Sequence, residues 1–275
     1  MRPGWGTGRR RGNSLLRPLR RSKSWGWTCS KAPDRRAAEL NEIRWWSKWA
    51  RLRWNGEGYL LSSAALREPF FNRAGALSCR AVTGTAAWAE RILASSGVNS
   101  TFLAFDSCAS AKALISSGYR QEDTMTVLRS TTPLDDQKSE QVVVMSDDPD
   151  AWASTYLRAF YGDEARAAAV RPIVSSLMWS RDTTFLESKI KGTTAGVLAI
   201  FRTPGVAGVY CVGTAPEFRR RGVANRLLAR ARKIADDEGR GLILQTLTSD
   251  GALQFYRKRG FVEMHSKSVL VRKLK

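Results

Sequence analysis

Residues 212–246, VGTAPEFRRRGVANRLLARARKIADDEGRGLILQT, decide the fold. An apolar run ends at Thr214, and Pro216 forbids further strand pairing because it has no N–H to donate. A helix is expected to begin near Gly222. Val223, Leu227, Leu228, Ala231, Ile234 and Ala235 fall at spacings of 4, 1, 3, 3 and 1, which keeps them on one helical face. Gly239 supplies a C-terminal stop, and residues 242–247 read as a short buried strand. This is a strand, a turn, an amphipathic helix and a second strand. The turn exposes backbone N–H groups at a helix N-terminus, a ready anion site. Gly222 and Ala224 lack bulk, so a pyrophosphate can approach the backbone. Arg219, Arg220 and Arg221 add cationic partners for phosphates. The pattern points to a phosphate-bearing ligand.

Which ligand is narrowed by what the sequence lacks. It contains no G-x-x-x-x-G-K-[ST] segment and no G-x-G-x-x-G opening a helix, so nucleotide hydrolysis and dinucleotide redox chemistry lose support. Its cysteines, Cys29, Cys79, Cys108 and Cys211, are widely spaced, and His265 is the one histidine in 275 residues. A Cys/His zinc site is therefore not expected, and no metal is. Without a secretory signal, the four cysteines read as reduced thiols in a cytosol-like compartment. No apolar stretch reaches the roughly 18 to 20 residues needed to cross a bilayer.

Outward from the deciding stretch, the pattern continues on both sides. Residues 142–145 read as a strand, 150–160 and 164–177 as helices, and 184–190 and 195–201 as a hairpin turned by Gly192. Residues 206–213 form a third strand, 251–258 a short helix ended by Gly260, and 262–271 a last strand. Upstream, 86–94 reads as a helix ending near Gly97, 101–105 as a strand, 108–116 as a helix stopped by Gly118, and 125–128 as a strand. Residues 130–140 are polar, contain a proline and read as a linker. The two units end alike, as helix, Gly, strand, helix with Gly118-Tyr119 or Gly260-Phe261, and strand. That is the mark of a diverged tandem repeat. The expected division is a basic disordered tail over 1–40, a first unit over 41–130, a linker over 131–140 and a second unit over 141–275.

The formal charge is +20. Residues 1–53 hold 15 Lys/Arg and 3 Asp/Glu, hence +12 of it. Residues 1–40 lack periodicity and read as disordered. Such a tail could touch nucleic acid or an anionic membrane, or serve as an organelle transit peptide. Trp45, Trp46, Trp49 and Trp54 lie among Arg44, Lys48, Arg51 and Arg53. Aromatics among cations can stack bases, but the simpler expectation is a helix burying its Trp face on the first unit.

The R-x-x-G-x-A segment at Arg219 to Ala224, preceded by V-G-T-A-P-E-F, resembles the acetyl-CoA loop of the GCN5-related N-acetyltransferases (GNATs), which takes the form [Q/R]-x-x-G-x-[G/A]. Downstream, L-Q-F-Y-R-K-R-G-F (253–261) resembles the family's LY-x-x-x-GF element. The resemblance covers 141–275. Residues 55–130 resemble the fold weakly and carry no Arg-x-x-Gly-x-Gly/Ala near 82–88. It implies a mixed-sheet α/β (α+β) protein with two tandem GNAT-like acyl-CoA N-acyltransferase folds, the first degenerate and unable to bind the cofactor.

The resemblance also implies roles. Backbone groups of Val212 and Thr214, flanking Gly213, would pair with the pantetheine arm of acetyl-CoA. Backbone N–H groups from Arg220 through Gly222, Val223 and Ala224 to Asn225 would bind its pyrophosphate, with Arg219 and Arg221 beside them. Ser249 stands where many members have an Asn near the cofactor. Tyr256 matches the tyrosine placed near the thioester sulfur as general acid. The implied reaction is direct attack of a primary amine on the thioester. The base is not identified; Glu187, Asp163 and Glu164 are guesses, each more readily read as a solvated surface acid. Cys211 is expected to face away from Val212, since strand neighbours alternate, and His265 to be structural. The acceptor pocket is expected from residues 150–180 and the face of the first unit. Two readings from other classes stand beside the enzyme: a non-catalytic acyl-CoA-binding or regulatory protein, and a nucleic-acid binder acting through the tail. The expected location is cytoplasmic, or an organelle matrix if 1–40 is a transit peptide.

Overall fold

The computed structural model describes residues 33–94, 98–132 and 142–274. Gly97, most of the expected linker and residues 1–32 lie outside the described residues.

The N-terminal half contains α1 (Arg35–Trp46), β1 (Arg51–Asn55), β2 (Gly58–Ser62), β3 (Arg73–Ala76), α2 (Val82–Leu93), β4 (Ser100–Phe105), α3 (Ala109–Ser116) and β5 (Arg120–Ser130). The C-terminal half contains β6 (Val142–Met145), α4 (Pro149–Phe160), α5 (Ala167–Met178), β7 (Thr183–Ile190), β8 (Thr193–Thr203) and β9 (Val206–Thr214). It continues through α6 (Val223–Asp237), β10 (Gly241–Leu247), α7 (Leu253–Arg257) and β11 (Phe261–Arg272).

All eleven strands form one mixed sheet in the order β1-β2-β3-β4-β11-β5-β10-β9-β8-β7-β6. The order at its centre is a reciprocal exchange. The last strand of the C-terminal half, β11, pairs antiparallel with β4 from Ser100↔Arg272 to Phe105↔Lys267. The last strand of the N-terminal half, β5, pairs antiparallel with β10 from Met125↔Leu247 to Arg129↔Ile243. The exchanged strands pair with each other. Each half thus completes the other's sheet, so the division expected near 131–140 separates the sequence without separating the sheet.

Three hydrophobic layers follow from strand alternation. On β8, Leu198 and Ile200 face α6 with Val209, Leu242 and Leu244. Val197, Ala199 and Phe201 face the other way, toward Trp45, Trp152, Val170 and Val174. In the N-terminal half, α2 and α3 cover Leu60, Ala74, Phe102 and Leu270. The amphipathic face expected of α6 is buried at Val223, Leu227, Leu228, Ala231 and Ala235. Its end is a Schellman turn: Arg240 N–H donates to Ala235 O at 2.8 Å and Gly239 N–H to Asp236 O at 3.0 Å, with Gly239 at φ 65°.

Helix α1 departs from the expectation in two ways. It starts at Arg35, inside the stretch read as tail, capped by Asp34 Oδ1 accepting from Ala37 N–H at 2.7 Å. Its tryptophans also reach beyond the first unit. Trp45 stacks on Tyr210 at 4.8 Å between centroids and packs on Phe185 and Phe201, all from the C-terminal half. Trp46 meets Phe70 and Phe71. The helix sits across both halves, and its buried face also carries two paired carboxylates, Glu39 and Glu42. Lys267 Nζ donates to Glu42 Oε2 at 2.6 Å and to the Glu39 carboxylate at 3.1 Å. Arg73 donates to Glu42 at 2.7 Å and His265 Nε2 lies 2.7 Å from Glu39. Burial alone would raise the Glu39 pKa, but Lys267 and His265 outweigh it and hold the carboxyl below its ordinary value. Asn41 accepts from Tyr210 Oη at 2.6 Å and donates to Thr203 Oγ1 at 2.9 Å. Gly208 is a glycine because a Cβ there would stand 2.0 Å from Asn41 Oδ1.

The reading of all four cysteines as reduced thiols is corrected in part. Cys79 and Cys108, 29 residues apart, form a disulfide with 5.3 Å between Cα atoms. The topology sets the chain just beyond β3 beside the chain just beyond β4, a proximity that spacing along the sequence conceals. Cys211 is free.

Candidate active site

The site begins where two parallel strands part. β9 and β10 pair from Val206↔Gly241 to Val209↔Leu244 and no further. β10 stays with β5 up to Leu247, while β9 follows β8 to Thr214. The edge of β9 that faces β10 is therefore left without a strand partner over 210–214. A bulge causes the departure. The β8–β9 register shifts between Val197 and Ala199, and Cys211 takes φ 55°. Cys211 packs against the Trp45 layer and Val212 against the α6 layer, as the expected alternation has it, and both border the cavity that opens here.

Beyond Thr214 the chain makes a 3-10 turn at Pro216–Phe218 and then four residues, Arg219 to Gly222, before α6. Arg220 at φ 62° and Gly222 at φ 79° are both left-handed. A Cβ at Gly222 would meet nothing within 4 Å, so its glycine answers to conformation and leaves open space before the helix. No side chain caps α6 and its first turn holds no acid. Arg226 N–H reaches back to Gly222 O at 3.3 Å, which leaves the amides of Val223, Ala224 and Asn225 as the unfilled donors of a fifteen-residue helix.

The side chains proposed from sequence divide in their placement. Arg219 donates to Ala159 O at 3.1 Å and to Thr214 O at 3.4 Å, tying the loop to the end of α4. Arg220 is exposed, and the Arg221 guanidinium lies 5.7 Å from the Phe218 ring centroid. Asn225 Oδ1 accepts from Arg259, whose guanidinium also stacks 3.6 Å over Phe255. Gly213 lies under α4, where a Cβ would stand 2.9 Å from that of Ala159. Ser249 Oγ donates to Asp123 Oδ2 of β5 at 2.5 Å, so its hydroxyl is engaged across the strand exchange.

The parted strands form one wall of a cavity of about 430 Å³. Val209 to Val212 line it from β9, Leu244 to Leu247 from β10, and Tyr256 from α7. Tyr256 is 9% exposed. Burial, and secondarily the Asp250 carboxylate, push its phenol up to about 12. The opposite wall comes from both halves: Trp46, Phe70 and Phe71 from the N-terminal half, Tyr156, Phe160 and Tyr161 from α4 and its end, with Glu68 among them. Sequence reasoning missed Glu68 and Phe70, which no motif marks.

None of the guessed bases lines this cavity. Glu187 is 1% exposed on β7, accepting from Thr194 Oγ1 at 2.7 Å and pairing with Lys189 at 3.0 Å, so its reading as a solvated acid is corrected. Asp163 accepts from Ala165 N–H, and Glu164 pairs with Arg171. His265 is held on Glu39 under α1. Among the described residues no cluster of His, Cys, Asp or Glu could hold a metal, and no helix is long and apolar enough to cross a membrane.

Residues 181–263 match a family model described as an acetyltransferase (GNAT) domain. No curated protein matches the chain. Among solved structures, a GCN5-related N-acetyltransferase from Kribbella flavida is 17% identical, with 86% of this chain and 95% of that one covered and a TM-score of 0.64. One from Sphaerobacter thermophilus is 17% identical, with 80% and 77% covered and a TM-score of 0.61. A tandem GNAT protein from the clavulanic acid biosynthesis pathway is 16% identical, with 88% and 89% covered and a TM-score of 0.58. At such identities the likeness speaks to the fold, over nearly the whole of this chain. The C-terminal half thus carries a match to an acetyltransferase (GNAT) domain, and the chain as a whole has the fold of the GCN5-related N-acetyltransferases it is similar to.

Proposed function

We propose that this chain transfers an acetyl group from acetyl-CoA to a primary amine. One observation carries the reading: an uncapped helix N-terminus and an unpaired strand edge lie on either side of a four-residue loop, and that edge shares a cavity with a buried phenol. The residues present fit acetyl-CoA. Amides 223–225 and the left-handed loop before them suit a pyrophosphate. The free edge at Val212 to Thr214 suits the amide-bearing pantetheine arm, which would add to it like a strand. Acetyl-CoA would supply the thioester.

In the reaction, the amine nitrogen bonds to the thioester carbonyl carbon and gives up a proton to solvent, and the carbon–sulfur bond then breaks to release the CoA thiolate. A backbone N–H near Val212 stabilises the developing oxyanion. Tyr256 donates to the departing thiolate. With its pKa raised to about 12, the phenol is protonated throughout the working range. Complete transfer to a thiolate of ordinary pKa, about 8.5, is uphill. Its contribution is therefore a standing hydrogen bond, aimed where negative charge collects.

Calorimetry with acetyl-CoA, followed by thiol release across a panel of amines, tests the reading. Binding with turnover is expected. Binding without turnover for any amine would favour a non-catalytic acyl-CoA-binding protein, and absence of binding would end both readings.

A further inference from the structure

The cavity's second wall is a built site to which no role has yet been given. Six aromatic side chains, Trp46, Phe70, Phe71, Tyr156, Phe160 and Tyr161, surround one carboxylate, Glu68. Glu68 is oriented: one oxygen pairs with Arg166 Nε, and the Arg166 guanidinium rests 4.2 Å over the Tyr161 ring. The other oxygen, Oε2, is buried and has no hydrogen-bond partner. A buried carboxylate oxygen without a donor is costly, and the donor that relieves it best is a cation. Aromatic faces attract the same cation and also bury an apolar body. No lysine or arginine lines the cavity, whose other acid is Asp250. The walls therefore favour a positive, apolar guest and offer a carboxylate no charged partner.

We infer that this wall is the acceptor site, and that it takes a primary amine carried on an aromatic or similarly bulky apolar body with no acidic group. This rests on the acetyltransferase reading and extends it to the substrate class. The Glu68 carboxylate receives the ammonium, and the rings hold the body. Glu68, Phe70 and Phe71 come from the N-terminal half and Tyr156, Phe160 and Tyr161 from the C-terminal half, so the acceptor site exists only where the halves meet. Glu68 is assigned here as a binding and orienting group.

The test is direct binding of probes to the full chain by calorimetry, without acetyl-CoA. 2-Phenylethylamine is expected to bind at least about tenfold more tightly than phenylalanine, which has the same body and amine plus a carboxylate. Glu68→Gln is expected to weaken 2-phenylethylamine at least about tenfold, with acetyl-CoA affinity unchanged. Phe70→Ala, which leaves the carboxylate in place, is expected to weaken both probes alike. Equal affinity for phenylalanine, or a Glu68→Gln chain that binds 2-phenylethylamine as before, would overturn the assignment. The two readings fail separately. Amine binding without thiol release overturns the transferase and leaves the pocket standing. Thiol release with other amines, when 2-phenylethylamine does not bind, overturns the pocket alone.

Discussion

The two halves hold the same parallel strand pair, and only one of them opens it. In the C-terminal half β9 outruns its pairing with β10 by five residues, 210–214, and a four-residue loop follows the 3-10 turn before α6. In the N-terminal half β3 pairs with β4 from Arg73↔Thr101 to Gly75↔Leu103 and ends at Ala76. Its 3-10 turn, Cys79–Ala81, then runs directly into α2 at Val82. The disulfide from Cys79 to Cys108 closes the place where the other half parts. Counting back four residues from the glycine after the short helix, Gly260 leads to Tyr256 and Gly118 leads to Leu114, a residue 4% exposed in the core. Topology alone therefore does not make a cleft. The cleft needs a bulge to part the strands, a loop to uncover the helix end and a phenol in place of an aliphatic side chain. The half without these lends its surface to the acceptor wall instead.

The comparison breaks most readily at the phenol. Tyr256→Phe should lower kcat by about 10²-fold or more and leave acetyl-CoA affinity as it is, which stopped-flow and calorimetry would show. With the phenol at about 12, its loss should leave the shape of the pH–rate profile up to about pH 10 unchanged. A limb near neutrality that vanished with Tyr256 would mean the residue titrates there. Closure of the other half is tested by Cys79→Ser. Opening a loop of 29 residues' separation should cost about 3 to 4 kcal/mol in denaturant unfolding, with acetyl-CoA binding untouched. A loss of binding would show that the two strand pairs are coupled.

Gly222→Val forces a β-branched side chain to φ 79° at a cost of about 1 to 3 kcal/mol. It should weaken acetyl-CoA about 10- to 100-fold in calorimetry. The smallest effect is expected from the contrasting glycine. Gly84 lies within α2, where a Cβ would meet nothing within 4 Å. Gly84→Ala should stabilise the protein by about 0.5 to 1 kcal/mol without altering binding. A loss of acetyl-CoA affinity there would assign α2 a ligand role.

How far the sequence could be read depended on the kind of side chain doing the burying. The α6 face was legible because aliphatic residues recur at helical spacing. Helix α1 was not, since three of the seven residues it buries are Glu39, Asn41 and Glu42, and a polar buried face has the periodicity of an exposed one. The loop at Arg219 to Gly222 was legible from its Pro, its small residues and the helix that follows. Glu68 was not, because an isolated acid acquires meaning only from the rings around it. Arg219 was legible as part of the loop and Ser249 only through the family resemblance, whereas their bonds to Ala159 and Asp123 depend on contacts made at long range.

The sequence by itself determined the elements of the second unit and the loop before α6, which we propose receives a diphosphate, since local turn chemistry and helical period are written in neighbouring residues. Tertiary structure alone decided the strand exchange, the bulge at Cys211, the bond between Cys79 and Cys108 and the acceptor wall. Each of these joins residues apart in sequence, and their proximity is set by how the two halves of one sheet share their final strands.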